Sequence, residues 1–159
     1  MNTKKVIIGV DPGNTGAICF LKGKKVIELC SMPVEKKTTG RGIQVSAIGL
    51  KDLLSGWTIK RAYIERINSQ PQNTARSMFT FGYGYGVVLT ALTFMEVPFC
   101  FIAPQEWKKE FVLIGKDKQA SITKVLQLYP DLYPDLYRQS DHDKAEAILI
   151  ALTGKKLKR

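Results

Sequence analysis

The segment VIIGVDPGNTG, residues 6–16, decides how the first part of the chain folds. Its apolar, β-branched start predicts a buried strand over residues 5–11, and Pro12 and Gly13 then turn the chain away. The strand ends in Asp11, and open α/β sheets place their sites at the carboxyl ends of central strands. Asp11 is therefore either a turn-forming residue or a ligand, and this segment alone does not distinguish the two.

Length and composition indicate one globular domain over residues 1–159. Hydrophobic residues make up 45% of the chain, enough for a sizeable core, but the apolar stretches are shorter than the ~20 residues of a membrane-spanning helix. The first residues show no signal-peptide pattern, so we expect a soluble cytoplasmic protein, a location that also fits a phage protein in its bacterial host. Three cysteines without CxxC spacing argue against a disulfide framework or a zinc site.

The charge balance points to a polyanionic partner. Lys and Arg number 24 against 14 Asp and Glu, a formal net charge of +10. Such an excess on a small domain favours nucleic acid first and a membrane surface second. No basic amphipathic helix with a bulky apolar face stands out, so we expect no membrane partner. A basic surface that only aids solubility remains the alternative.

The hydrophobic pattern predicts an α/β domain. Strands over residues 5–11, 16–21 and 24–31 would form an antiparallel meander. The later elements are a polar loop (33–42), a helix (44–56), a strand (61–67), a glycine-interrupted helix (72–96), a strand (98–103) and helices (104–111, 117–129, 141–153). A meander followed by strand–helix alternation predicts a mixed sheet, with three antiparallel strands and then parallel ones, covered by helices on both faces.

A second carboxylate lies in the predicted strand AYIERI. Alternation puts Tyr63 and Glu65 on one face of this strand and Ala62 and Ile64 on the other. A glutamate inside such an apolar run is unusual unless the strand lies at a sheet edge or the residue has a function. Both interpretations stay open at this point.

Further acidic residues begin the last helix, within SDHDKAEAILIALTG, residues 140–154. At about 100° per residue, His142, Asp143 and Glu146 share one arc beside the apolar stripe. Asp141 lies on the other side of that stripe, where it is better placed to cap the helix. An acidic first turn that favours the helix dipole is the alternative explanation for this pattern.

Together these carboxylates suggest a metal centre. Clustered carboxylates repel one another unless a cation lies between them, and oxygen ligands of this kind suit Mg²⁺ or Mn²⁺. Metal-bound carboxylates on a basic protein are what cleavage of a phosphodiester requires.

Three segments resemble the acidic motifs of the RuvC-type Holliday-junction resolvases, within the RNase H-like superfamily: GVDPGNTGAICF, YIERI and DHDKAEAILIA. The phage and plant-chloroplast branch is the most similar, on the segments FTFGYGYG, EWKKEFVL and DHDKAEA. The resemblance runs in order over about residues 6–154 and implies an RNase H-like fold.

The resemblance implies that Asp11, Glu65 and Glu146 bind metal, with His142 or Asp143 completing the catalytic site. Bacterial RuvC proteins place two site residues three apart, as Asp143 and Glu146 are, whereas the chloroplast-like pattern favours His142 and Glu146, four apart. Both spacings put the pair on one helical face, and the angular positions slightly favour His142. His142 would be a poor Mg²⁺ ligand and would instead orient or deprotonate the attacking water. Two Mg²⁺ or Mn²⁺ ions per site are expected.

The lysine-bearing turn GKDKQAS, residues 115–121, resembles a turn of the family that precedes a helix. We expect Lys116 and Lys118 to contact the DNA backbone, and Lys108 is a weaker candidate for the same role. Solvated lysines at a helix start are the alternative.

The glycine- and phenylalanine-rich segment MFTFGYGYGVV spans residues 78–88. The resemblance implies a dimer interface on this helix and a junction-probing loop within residues 68–81. Phe79 or Phe81 would stack there on an exposed base at the branch point. Packing of these aromatic rings in the core is the alternative.

The sequence thus predicts a homodimeric, divalent-metal-dependent endonuclease that resolves four-way DNA junctions. Its rivals are an RNase H-like nuclease acting on RNA or RNA–DNA hybrids, and a DNA-binding module without catalysis. An ATP-binding sugar-kinase or actin-like protein is a third, because DPGNTG also resembles their phosphate loop, although 159 residues are few for two such lobes.

Overall fold

The computed structural model describes residues 5–67 and 73–157. Its strands are β1 (Lys5–Asp11), β2 (Ala17–Lys22), β3 (Lys25–Ser31), β4 (Val34–Lys36), β5 (Ile43–Val45), β6 (Thr58–Glu65) and β7 (Phe99–Ile102). Its helices are α1 (Ala47–Ser55), α2 (Ala75–Phe94), α3 (Pro104–Glu110), α4 (Gln119–Leu128) and α5 (His142–Leu157). None of these described helices is long and apolar enough to cross a membrane.

Five strands form the main sheet, in the order β3-β2-β1-β6-β7. The first three pair antiparallel, whereas β6 runs parallel to both β1 and β7. This arrangement confirms the predicted mixed sheet. Because Val10 of β1 lies opposite Ile64 of β6, the next residues, Asp11 and Glu65, end neighbouring parallel strands at the same edge.

Alternation along the strands divides the core between the two faces of the sheet. On one face, which we call the α2 face, Ile8, Ile18 and Phe20 join the buried side chains of α1 and α2. On the opposite α5 face, Cys19 and Tyr63 join those of α3, α4 and α5. Helices therefore cover both faces, as predicted.

Helix α5 approaches the sheet closely because two glycines leave room for it. A Cβ atom on Gly9 of β1 would lie 2.1 Å from the carbonyl oxygen of Ala147, and one on Gly154 would lie 2.2 Å from the ring of Tyr63. This contact holds α5 across β1 and sets where the first turn of the helix lies.

Several element boundaries differ from the sequence prediction. The predicted polar loop contains β4, which pairs with β5, so Gln44 and Val45 are extended rather than helical. Helix α1 begins after Ser46, whose Oγ accepts a hydrogen bond from the backbone N–H of Gly49 at 3.2 Å. Helix α2 is continuous despite its glycines. Cap chemistry and tertiary packing override the local pattern in these segments.

The tandem YPDLYPDL segment, residues 129–136, contains a 3₁₀ helix over Pro130–Asp135. The three cysteines form no disulfide, and they contribute small side chains to the two core faces.

Replacing Gly9 tests the close contact between α5 and β1. Gly9→Ala should lower the free energy of unfolding by about 1–3 kcal/mol, because the new methyl group meets helix backbone that cannot rotate away. Gly56→Ala is the matched control: Gly56 has φ −71° and its added Cβ would meet its nearest neighbour at 3.9 Å, so a change within about 0.5 kcal/mol is expected. Urea denaturation of both variants measures the difference, and equal stabilities would contradict the packing described.

Candidate metal centre

Two carboxylates project from the carboxyl edge of the sheet toward α5. Asp11 is the last residue of β1 and is 8% exposed. Glu65 is the half-buried last residue of β6. Asp11 follows Gly9 by two residues, and Gly9 contacts α5. Glu65 follows Tyr63 by two residues, and Tyr63 packs on the α5 face of the sheet. Strand alternation therefore turns both carboxylates to the same side.

The first turns of α5 add two more carboxylates. Asp11, Asp143 and Glu146 each offer an oxygen, and these atoms all lie within 4.8 Å of one another. Glu65 lies beside this trio, close enough that its charge raises the pKa of both Asp11 and Glu146. We call these four residues the carboxylate cluster.

The electrostatics of the carboxylate cluster call for a cation. Burial raises the pKa of Asp11 well above its usual range, and the negative charges of the other three members raise it further. Burial is also the main cause that raises the pKa of Glu65 and of Glu146. A divalent cation would offset both the cost of burying these negative charges and their mutual repulsion. Carboxylate oxygens are also the ligands that Mg²⁺ and Mn²⁺ prefer. The residues therefore fit such an ion.

The histidine predicted as an alternative site residue lies next to the carboxylate cluster. His142 Nδ1 is 3.0 Å from the carbonyl oxygen of Gln139, and Nε2 is 2.7 Å from Oδ1 of Asp143. Because a carbonyl oxygen only accepts, Nδ1 carries a hydrogen. The structure thus places Asp143 in the trio and His142 directly behind it.

Two partners of the carboxylate cluster were not predicted from the sequence. Trp107 Nε1 donates a hydrogen bond to Glu65 Oε1 at 2.8 Å, and Ser121 Oγ donates one to Glu146 Oε1 at 3.4 Å. Both side chains are buried. The segment EWKKEFVL drew attention to the region of Trp107, but nothing in the sequence pattern distinguishes Ser121 from any other small residue of an amphipathic helix.

The predicted DNA-binding lysines occupy two different places. Lys108 is half-buried beside the carboxylate cluster, where its charge lowers the pKa of Glu65 and of Glu146 against the effect of burial. Lys116 and Lys118 lie in the exposed turn before α4. Their contacts with DNA stay a prediction.

The two predicted base-stacking phenylalanines lie at the start of α2, outside the buried core. Phe79 is 80% exposed. Phe81 is partly buried, with its ring against Gly13 in the turn that follows Asp11. A cleft of about 370 Å³ opens between this turn and the first residues of α2, including Arg76. Part of the predicted junction-probing loop, residues 68–72, lies outside the described residues.

Comparison with known proteins identifies the fold. No protein-family model and no curated protein matches the sequence. A solved structure of Thermus thermophilus RuvC in complex with a Holliday junction substrate matches with a TM-score of 0.63 and 16% identity, covering 94% of this chain and 92% of that one. The chain has the RuvC fold. A second T. thermophilus RuvC structure matches with a TM-score of 0.59 and 18% identity, over 96% of both chains.

The RuvC likeness confirms the RNase H-like architecture that the resemblance implied. It extends over nearly the whole chain, so β1, β6 and α5, which carry the carboxylate cluster, belong to the shared fold.

Removing one carboxylate should stabilise the metal-free protein. The folded state holds a proton on Asp11 more tightly than the unfolded state does, so stability falls as pH rises from the usual aspartate pKa through the raised folded value. Asp11→Asn should therefore raise the melting temperature at pH 8 in chelator, and should flatten this pH dependence. Each kcal/mol gained corresponds to about 2–4 °C.

Thermal melts from pH 4 to pH 8 measure this effect, with Asp52→Asn on the exposed side of α1 as the control expected to change nothing. A melting temperature of Asp11→Asn below that of the wild type at pH 8 would contradict the electrostatics described.

Proposed function

We propose that this protein is a homodimeric, divalent-metal-dependent endonuclease that cleaves four-way DNA junctions. The observation that carries the proposal is the convergence of Asp11, Asp143 and Glu146, with oxygens within 4.8 Å, in a chain of net charge +10. The RuvC fold supports the same conclusion, because one of the matching structures holds a Holliday junction substrate.

The carboxylate cluster would hold Mg²⁺ or Mn²⁺, with two ions per site. Bound ions supply the positive charge that a scissile phosphate and its leaving oxygen need for hydrolysis. The role of Asp11, Glu65, Asp143 and Glu146 is to fix those ions at the edge of the sheet. Because Asp11 is nearly buried on a rigid strand, its oxygens have little freedom to reorient.

His142 would handle the proton of the attacking water. Its Nδ1 is tied to the backbone by Gln139, so Nε2 is the nitrogen that accepts or carries a proton at the carboxylate cluster. Nε2 lies 2.7 Å from Oδ1 of Asp143 with a hydrogen between them, so it would accept the proton of the water only after Asp143 turns from it to a bound cation. His142 thus orients or deprotonates the water rather than binding the ion.

Cationic and aromatic side chains around the site would hold the DNA. Lys108 lies beside the carboxylate cluster, and Lys116 and Lys118 lie exposed in the turn before α4. These side chains suit backbone phosphates, whose contacts position a duplex without reading its sequence. Phe79 and Phe81, at the start of α2, would stack on bases exposed at the branch point.

A second copy of the chain would cover the outer face of α1 and α2. An apolar groove of about 550 Å³ runs between these helices, and its lining includes Tyr83 and Phe94, which are 41% and 84% exposed. Gly82 and Gly86 also line the groove, and added Cβ atoms there would meet nothing within 4 Å, so another helix has room to approach. A twofold dimer would present two sites, one for each of two opposing strands.

Cleavage assays test the proposed activity. Wild-type protein should nick a labelled four-way junction in Mg²⁺ and not in chelator, and should leave a linear duplex of the same sequence intact. Asp11→Asn and Glu65→Gln should lower the cleavage rate at least about a thousandfold, because each removes a ligand charge, while junction binding persists. Asp52→Asn, which removes an exposed charge on α1, is the control expected to keep wild-type activity.

Other outcomes would assign the protein differently. Cleavage of RNA or RNA–DNA hybrids in preference to junctions would identify the first rival activity. Binding of DNA without any cleavage product, in Mg²⁺ or in Mn²⁺, would identify a non-catalytic module.

Light scattering after size exclusion tests the dimer. The wild type should have the mass of a dimer, and Phe94→Lys should be monomeric because it places a charge in the apolar groove. Leu128→Lys, at an exposed position of α4 on the other side of the sheet, is the matched control and should stay dimeric. A Phe94→Lys variant that remains dimeric would exclude this face as the interface.

A further inference from the structure

Trp107 is the largest fully buried side chain of the described residues, and it makes a specific contact with the carboxylate cluster. Its exposure is 0%, and its Nε1 donates a hydrogen bond to Glu65 Oε1 at 2.8 Å across 42 positions of the chain. An indole needs only one partner for its N–H, and most side-chain hydrogen bonds in proteins go to the backbone or to water. Here the partner is a carboxylate of the candidate metal centre.

The surroundings of Glu65 make this contact consequential. Burial, and after it the charge of Asp143, disfavours the charged form of Glu65. The hydrogen bond from Trp107 is the first of the two effects that favour that form, the other being the charge of Lys108. Lys108 Nζ in turn lies 5.2 Å from the centroid of the Trp107 ring. The indole of Trp107 therefore contacts both the Glu65 carboxylate and the Lys108 ammonium group, whose charge also acts on Glu65.

Glu65 is also the member of the carboxylate cluster that needs positioning. Asp11, Asp143 and Glu146 each offer an oxygen within 4.8 Å of the other two, and the oxygens of Glu65 do not belong to this group. A glutamate reaches its site through three rotatable bonds, one more than an aspartate has, so its carboxylate is harder to fix in place. A donor held rigidly in the core restricts that freedom.

We propose that Trp107 is a positioning residue, whose indole N–H orients the Glu65 carboxylate for binding a divalent ion. The inference rests on the proposed function, since it assumes that Glu65 is a ligand. Hydrogen bonds to metal-binding carboxylates orient them, and losing such a bond typically weakens metal binding 10–100-fold.

Calorimetric titration with Mn²⁺ measures this role without any assay of activity. Trp107→Phe keeps an aromatic ring and loses the N–H donor, so Mn²⁺ should bind at least about tenfold more weakly. Trp57→Phe is the matched control, because Trp57 stacks on Phe20 on the α2 face, 4.8 Å between ring centroids, away from the carboxylate cluster. Its Mn²⁺ affinity should equal that of the wild type.

A second variant separates the hydrogen bond from packing. In the Trp57→Phe chain, Trp107 can be replaced biosynthetically by 3-benzothienylalanine, which has the shape of tryptophan with sulfur in place of the N–H. This protein should fold with the stability of its parent and should lose Mn²⁺ affinity as Trp107→Phe does. Affinity equal to that of the parent would overturn the proposal even if Trp107→Phe itself folds poorly.

A double-mutant cycle identifies the residue through which Trp107 acts. In a Glu65→Gln background, Trp107→Phe should change Mn²⁺ affinity less than twofold, because the carboxylate it orients is already gone. An equal loss in both backgrounds would show a structural effect on the whole site and would overturn the proposal, as would unchanged or tighter binding by Trp107→Phe alone. A wild type that binds no Mn²⁺ would instead overturn the proposed function.

Discussion

The parallel pairing of β1 with β6 is the constraint on which the rest of the site depends. It ends two buried strands at one edge of the sheet, so that Asp11 and Glu65 are level with each other and face the same side. Gly9 then lets α5 lie close enough to bring Asp143 and Glu146 to that edge. A one-residue slip in this register would turn one carboxylate to the α2 face.

The same geometry makes the metal-free site electrostatically unfavourable. Burial and mutual repulsion raise the pKa of Asp11, Glu65 and Glu146, and only Trp107 and Lys108 among the identified neighbours of Glu65 favour its charged form. Such an arrangement opposes folding, because like charges in a partly buried site destabilise the native state. It becomes favourable when a cation is present, which is typical of a functional site rather than a structural one.

Much of this could be predicted from the sequence because the decisive signals are local. The apolar run before Asp11, the alternation around Glu65 and the stripe on α5 each depend on one element's own periodicity. Contacts between different strands and helices leave no such periodic pattern in the sequence. The β4–β5 hairpin and the hydrogen bond from Ser121 to Glu146 depend on tertiary packing. The angular positions on α5 slightly favoured His142 over Asp143 as the residue completing the site, whereas the structure places Asp143 in the trio.

The central claim is that distant acidic residues share one cation. Crystals of the wild-type protein soaked in Mn²⁺, with anomalous diffraction measured near the manganese edge, test it most directly. The account predicts an anomalous peak coordinated by Asp11 and Glu146, with Glu65 or Asp143 completing the site. A peak elsewhere on the molecule, or an empty carboxylate edge at millimolar Mn²⁺, would contradict it.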